Sequence, residues 1–249
     1  MRAVFAVGKG RTEVMGAALF LALLSPACSM RAQQAQKAAA VIAMVDEAVR
    51  LRVANVAGFS DIEHYAVYRG SGAKRPAAEM TVRDTYTKDK GKVYTILSQS
   101  GSGIILKFGL KPLLENETAI NQPDKAAQSW FTSANYAMTL QGGVEQVNGR
   151  ACYGLAIQPR RRAPNMVEGT IWVDARDGTL VKVDGVASKS PSPFAGSTHM
   201  MREYRNIEGY AMATRARGES KSMLFGRTVV VIDYSDYHLQ TRPAGVAPH

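Results

Sequence analysis

Residues 144–158 read VEQVNGRACYGLAIQ, and residues 167–183 read VEGTIWVDARDGTLVKV. In both stretches, apolar side chains alternate with polar ones on either side of a turn, Asn148-Gly149 in the first and Asp177-Gly178 in the second. Alternation with a period of two is typical of strands with one buried face, and these dipeptides tolerate the positive φ angles of tight hairpin turns. The two stretches therefore predict consecutive antiparallel hairpins.

The same alternation extends outward in both directions and predicts a meander of strands. An amphipathic helix over Gln33–Val53 precedes it, and a helical insertion around 104–133, with Pro112 in the first turn of a helix, interrupts it. The predicted strands are Ile62–Tyr68, Glu79–Tyr86, Lys92–Ser98, Ala151–Gln158, Val167–Asp174, Thr179–Val186, Met200–Ile207, Ala211–Ala216 and Arg227–Tyr237, with Val144–Val147 paired to the Cys152 strand.

Residues 1–32 have the pattern of a secretory signal peptide. Basic side chains precede an apolar run from Val14 to Leu24, and small residues follow it. The run is shorter than the ~20 residues of a membrane-spanning helix, so export with cleavage after Ser29 or after Ala32 is favoured. Alternatively, Cys28 becomes a lipid-modified N-terminus that anchors the exported, periplasmic protein to a membrane.

Charge and cysteine content describe the exported chain further. Without residues 1–32 it keeps 27 basic and 20 acidic side chains, a formal net charge of +7. Export argues against nucleic acid as the partner of this basic protein. Residues 33–249 fit a single domain, with a disordered tail after about residue 240. Cys152, in a predicted strand, is expected to be a buried thiol without a disulfide.

A series of motifs follows in order along the last two-thirds of the chain, and in order and spacing it resembles the secreted bacterial outer-membrane lipoprotein-sorting proteins, the LolA/LolB-like lipoprotein carriers. The resemblance covers Ser133–Leu239 well and the opening helix and strands loosely. The motifs are Asn135-Tyr136, Gly142–Arg150, Cys152-Tyr153, Leu155, Pro159–Arg162, Glu168–Asp174 and Lys189–Ser192, with Tyr204, Gly209, Gly226 and Tyr234–Tyr237 in the last part.

This resemblance implies a mainly β (α+β) fold. A strongly curved antiparallel sheet would form an unclosed half-barrel, with helices covering the concave face. In carriers of this kind the concave cavity holds the acyl chains of lipoproteins. The same fold also serves as a sensor that binds other envelope proteins, so the resemblance implies binding more firmly than it implies lipoprotein sorting.

Candidate ligand contacts are the apolar side chains that share one face of the predicted strands. The alternative for each is plain core packing, and the insertion is likewise either a lid over a cavity or an ordinary core helix. The candidates are Tyr153, Leu155, Ile157, Ile171, Val173, Val181, Val183, Val230, Ile232 and Tyr234 on strands, and Phe108 and Leu110 in the insertion.

No arrangement of residues typical of catalysis or metal binding is found in the sequence. The four histidines have no metal-ligand spacing, and the Gln99–Gly103 segment lacks the strand and helix context of a nucleophile elbow. Arg160–Arg162 fits a solvated hairpin loop. We therefore predict no catalytic residue, no metal and no cofactor.

Two functions remain. The first is a monomeric, non-catalytic envelope protein that binds a lipid or the acyl chains of lipoproteins in an apolar concave cavity, as a lipid or lipoprotein carrier. The alternative is an envelope protein-interaction or sensor module with the same fold and a filled cavity, whose partners are envelope or membrane proteins.

Overall fold

The computed structural model describes residues 26–70, 72–163, 165–189, 195–222 and 226–242. Three predictions lie outside these residues and stay predictions: the signal segment up to Ser25, lipidation of the Cys28 side chain, and the tail from residue 243. Helical residues through Ala35 belong to a separate unit from Gln36–His249, and the account below concerns the second unit.

Every predicted strand is present, and most are longer than the alternation indicates. Helix α1 spans Pro26–Asn55, and in the insertion α2 (Gly103–Ile105), a π-helical turn (Leu106–Leu110) and α3 (Lys111–Ile120) precede a 3-10 turn (Ala126–Ser129). The strands are β1 (Val56–Arg69), β2 (Ala78–Thr87), β3 (Gly91–Gly101), β4 (Tyr136–Val147), β5 (Arg150–Pro159), β6 (Val167–Asp174), β7 (Leu180–Ala187), β8 (Ala195–Ile207), β9 (Tyr210–Ser222) and β10 (Gly226–Thr241).

These strands form one antiparallel sheet in the order β3-β2-β1-β10-β9-β8-β7-β6-β5-β4. The two edges, β3 and β4, do not pair with each other in the described chain, so the sheet is not closed into a barrel. The helical insertion carries the chain from one edge to the other. Register shifts between β1 and β10, β4 and β5, β6 and β7, and β8 and β9 are bulges, which bend and twist strands. The predicted unclosed, curved antiparallel sheet is therefore confirmed.

Helix α1 is fixed to the sheet and its loops by polar and steric contacts as well as by apolar ones. Val41 and Val45 are buried against the sheet, and Asp46 accepts hydrogen bonds from the Ser133 backbone N–H (2.8 Å) and hydroxyl (2.6 Å). Gly178, in the β6–β7 turn with φ +71°, lies so close to the helix that a Cβ there would be 2.6 Å from Met44 backbone atoms.

One sequence prediction about a single residue is also confirmed. Cys152 is fully buried and free. Trp172 points away from Ile171 and Val173, donates to Glu145 (2.6 Å), and has Lys182 Nζ 5.0 Å from its ring centroid. Among the described helices, none is long and apolar enough to cross a membrane.

The three consecutive arginines are exposed in the loop between β5 and β6, which confirms the prediction of a solvated loop. Arg160 Nε donates to the Ser133 carbonyl (3.0 Å), Arg161 to Gln128 (2.6 Å) and Arg162 to Ser188 (2.9 Å). They satisfy carbonyl groups of neighbouring loops, because irregular backbone leaves acceptors that no strand pairs with.

Candidate functional site

One face of the sheet carries both helical elements. Residues paired directly across antiparallel strands point to the same face, and a single paired row crosses eight strands. Helix α1 packs on one end of this row and the insertion on the other, so we call this the inner face. From β2 to β5 the row is Met80, Tyr65, Ile232, Ala216, Arg202, Val183, Ile171 and Leu155.

Beneath α1 the inner face is filled. Val41 and Val45 of the helix join the buried cluster of this half, and Tyr136 and Met166 complete it. Six of the predicted ligand contacts belong to this buried cluster or lie beside it, and each is at most 3% exposed. Tyr153 packs at the margin of the cluster, with Lys37 above its ring. The six are Leu155, Ile157, Ile171, Val173, Val181 and Val183.

The other half is covered by residues 103–120, which comprise α2, the π-helical turn and α3 and which we call the cover. Leu110 and Leu114 are 1% exposed, and they pack with Tyr65, Met80 and Ile232 of the sheet. Of the predicted contacts, Val230, Ile232, Tyr234 and Leu110 belong to this half. Phe108 does not face the sheet, because its side chain is 66% exposed.

Charged side chains hold the cover to the edge of the sheet. Lys92 Nζ on β3 lies 2.8 Å from Glu63 on β1, 2.9 Å from Glu117 on α3 and 3.5 Å from Asp84 on β2. The Tyr65 hydroxyl donates to Glu63 and lies 3.5 Å from Glu117. We call Asp61, Glu63, Asp84, Lys92 and Glu117 the ionic cluster.

Lys92 is the central cation of the ionic cluster. Burial alone would lower the pKa of Lys92, but Glu117, Glu63 and Asp84 outweigh it and raise that pKa well above its usual value. For Glu117, burial would raise the pKa, yet the charges of Lys92 and Arg202 lower it. Lys92 and Glu117 are therefore both charged at neutral pH.

The two aspartates differ from the rest of the ionic cluster. Burial, together with the charges of Glu63 and Asp84, raises the pKa of Asp61 to about 8. Burial raises that of Asp84 to about 7, against the opposing charge of Lys92. Asp84 lies 3.5 Å from Lys92 Nζ, whereas Asp61 has no ion-pair partner among the described residues. Asp61 is therefore protonated at neutral pH, which lowers the cost of burying it.

Carboxylate oxygens of Asp61, Glu63 and Asp84 lie within 4.8 Å of one another, a spacing that suits a hard cation. The Lys92 ammonium already sits against two of these carboxylates. We therefore assign no metal to this cluster.

Sequence reasoning missed the ionic cluster, although one signal for it was available. Glu63 is two and four residues before Tyr65 and Val67 on β1, so alternation places it with these apolar residues on the inner face. An acidic residue on an otherwise apolar face indicates a buried partner.

The comparisons with known proteins concern the fold. No family model and no curated protein matches the sequence. Solved structures of similar fold include the following three. A LolA superfamily protein from Nitrosomonas europaea is 15% identical, with 83% of this chain and 94% of that chain covered and a TM-score of 0.44.

The second is a domain from Vibrio parahaemolyticus, provisionally named an outer membrane lipoprotein-sorting protein domain. It is 14% identical, with 86% of this chain and 95% of that chain covered and a TM-score of 0.48. The third is a DUF1329 family protein from Desulfovibrio piger. It is 18% identical, with 83% of this chain and 95% of that chain covered and a TM-score of 0.42. Since every TM-score is below 0.5, the fold is assigned from the strand order, the open edges and the helices on the inner face. That architecture is the one that the sequence resemblance to LolA-like proteins implies.

Proposed function

We propose that the protein is a non-catalytic, periplasmic binder of a hydrophobic ligand, a lipid or the acyl chain of a lipoprotein, which lies on the inner face in place of the cover. The observation that supports this proposal is the apolar underside of the cover. Leu110 and Leu114 are buried in an apolar cluster with Tyr65, Met80 and Ile232 on the sheet. An acyl chain offers the sheet the same kind of contact.

The cover is better suited to opening than α1. It is short, and its polar attachment to the sheet is concentrated at Glu117. Helix α1, in contrast, is held at Asp46 and against Gly178. Movable elements generally come from the less stable parts of a fold. The site that we propose therefore includes Val230, Ile232, Tyr234 and Leu110, whereas the predicted contacts beneath α1 meet a ligand only if that helix also moves.

One observation favours the alternative of a protein-interaction module. Ile104 and Phe108, four residues apart, are 62% and 66% exposed, and exposed apolar side chains of this size often mark binding surfaces. A partner that docks on them would use the outer side of the cover and leave the inner face filled.

Ligand binding is tested with a palmitoyl ester that carries an environment-sensitive dye, and by mass spectrometry of organic extracts of the purified protein. Ala216→Leu adds a larger side chain to the part of the inner face where the proposed ligand lies. We expect this variant to bind the ester about tenfold or more weakly. Ala156→Leu, on the outer face of β5, is the matched control. The proposal fails if the wild-type protein neither binds the ester nor carries a lipid.

A further inference from the structure

A charged side chain separates the two apolar halves of the inner face. In the paired row, Arg202 stands between Ala216 beneath the cover and Val183 beneath α1. It is partly exposed, and it lies on the same face of β8 as Tyr204. Glu117 is the carboxylate that acts on it electrostatically, but Glu117 is bound to Lys92. Within the described chain Arg202 therefore forms no ion pair.

A second arginine reaches the same strip from α1. Arg52, in the last turn of that helix, places Nη2 3.7 Å from Met212 Sδ on β9, and its buried Nε has no hydrogen-bond partner among the described residues. Burial lowers the pKa of Arg52. A buried cation is costly unless an anion or strong acceptors compensate it, and a thioether sulfur is a weak acceptor.

Tyr204 lies close enough to both guanidinium groups to act on them electrostatically. It also lines a surface cleft of about 550 Å³, together with Arg150, Arg176, Arg205 and Glu203. Arg150 and Arg176 are paired with Asp174. We call the strip between α1 and the cover the seam. This seam consists of Arg52, Arg202, Tyr204, Met212 and Tyr234.

We propose that Arg52 and Arg202 bind the anionic headgroup, a carboxylate or a phosphate, of an amphiphile whose apolar chain takes the place of the cover on the inner face. This inference rests on the proposed function and names its ligand class. Guanidinium groups present several N–H donors in a plane that matches both anions. The paired row fixes the orientation of the ligand, because a headgroup at Arg202 places the chain along Ala216, Ile232 and Tyr65.

The test compares two fluorescent polyene chains, cis-parinaric acid and its methyl ester, on the wild-type protein. They share one chain and differ in the charge of the headgroup. We expect the acid to bind about tenfold or more tightly, as for a charge-assisted hydrogen bond. Arg52→Met and Arg202→Met should lower the ratio of the two affinities to about one, and because this ratio compares probes with the same chain, a loss common to acid and ester does not affect it. The matched control is Arg215→Met, which removes an exposed arginine of β9.

The outcomes separate the inference from the function. If acid and ester bind equally well to the wild-type protein, the headgroup site is refuted while hydrophobic binding stands, and this comparison needs no variant to fold. If neither probe binds, both proposals fail. Inorganic phosphate and acetate distinguish the source of the anion. Displacement of the acid by millimolar amounts of either would show a site for free anions and overturn the proposal of an amphiphile.

Discussion

Lys92 on β3 and Glu117 on α3 form an ion pair of 2.9 Å across the interface between the sheet and the cover, with side chains 10% and 13% exposed. Removing two charges from water offsets much of their attraction, so a buried ion pair contributes little net stability but fixes geometry. Lys92 also keeps Glu63 at 2.8 Å. The cation therefore remains compensated when Glu117 leaves, which makes this pair suitable as a latch.

Glu117→Gln weakens the latch without changing the shape of the side chain. We expect the free energy of unfolding to fall by about 1–3 kcal/mol, the range for a hydrogen bond to a charged group. The affinity for the palmitoyl ester should rise, because a less stable closed state competes less with the ligand. Urea denaturation and dye fluorescence measure the two quantities.

Glu115→Gln is the matched control, since Glu115 lies on the same helix with its side chain exposed. Neither quantity should change in this variant. If Glu117→Gln lowers stability but leaves the affinity for the ester unchanged, the cover does not gate the site.

The pKa of Asp61 makes the stability of the fold depend on pH. It is about 8 in the folded protein and ~3.9 in an unfolded chain. Between these values the folded state holds more protons, so this contribution is fully present below about pH 4 and is lost as pH rises through about 8. The slope is at most about 1.4 kcal/mol per pH unit. Asp84, with a pKa of about 7, acts in the same direction.

We therefore expect the protein to be more stable near pH 5 than near pH 9, as measured by urea denaturation. Asp61→Asn mimics the protonated acid and should reduce the difference between the two pH values. Asp233→Asn, which changes an exposed carboxylate on β10, should not. An unchanged pH dependence in Asp61→Asn would show that Asp61 ionises normally in the folded protein.

Leu110 and Phe108, two residues apart in the π-helical turn, should respond differently to truncation. Leu110→Ala removes a fully buried side chain and is expected to cost about 2–5 kcal/mol. Phe108→Ala changes an exposed one and should stay within about 0.5 kcal/mol. Urea denaturation of the two single variants checks this. Equal losses would mean that Phe108 is packed in solution.

Much of the sheet could be predicted from local sequence. Asn148-Gly149 and Asp177-Gly178 specify turns, and alternation assigns a face to Leu155, Ile171 and Trp172, because the side-chain period of a strand is two. The pairing of β1 with β10, and the passage of the insertion from one edge to the other, could not be predicted this way. They depend on contacts between distant residues that no local pattern encodes.

The candidate site could be predicted less well from the sequence, for the same reason. Lys92 and Glu117 meet only after the insertion folds back over β3, and Arg52 reaches β9 across most of the chain. The sequence indicates the face of the strand on which Glu63 lies, but it does not indicate the partner that compensates its charge.

The final prediction concerns the contact between the β6–β7 turn and α1. Gly178 has φ +71°, and a Cβ there would lie 2.6 Å from the backbone of Met44; Gly209, with φ +92°, has nothing within 4 Å of the same position. Alanine at either site incurs backbone strain of about 1–3 kcal/mol. Gly178→Ala should cost about 1–3 kcal/mol more, because it also forces the turn away from the helix.

Urea denaturation of both variants measures this difference, and hydrogen exchange locates it. Amides of residues 36–55 should exchange faster in Gly178→Ala, since the helix loses its closest contact with the turn, and at the wild-type rate in Gly209→Ala. If the two variants lose equal stability and protect α1 equally, the turn yields to the added methyl group. In that case Gly178 does not fix α1, and the proposal that α1 is harder to move than the cover loses one of its two supports.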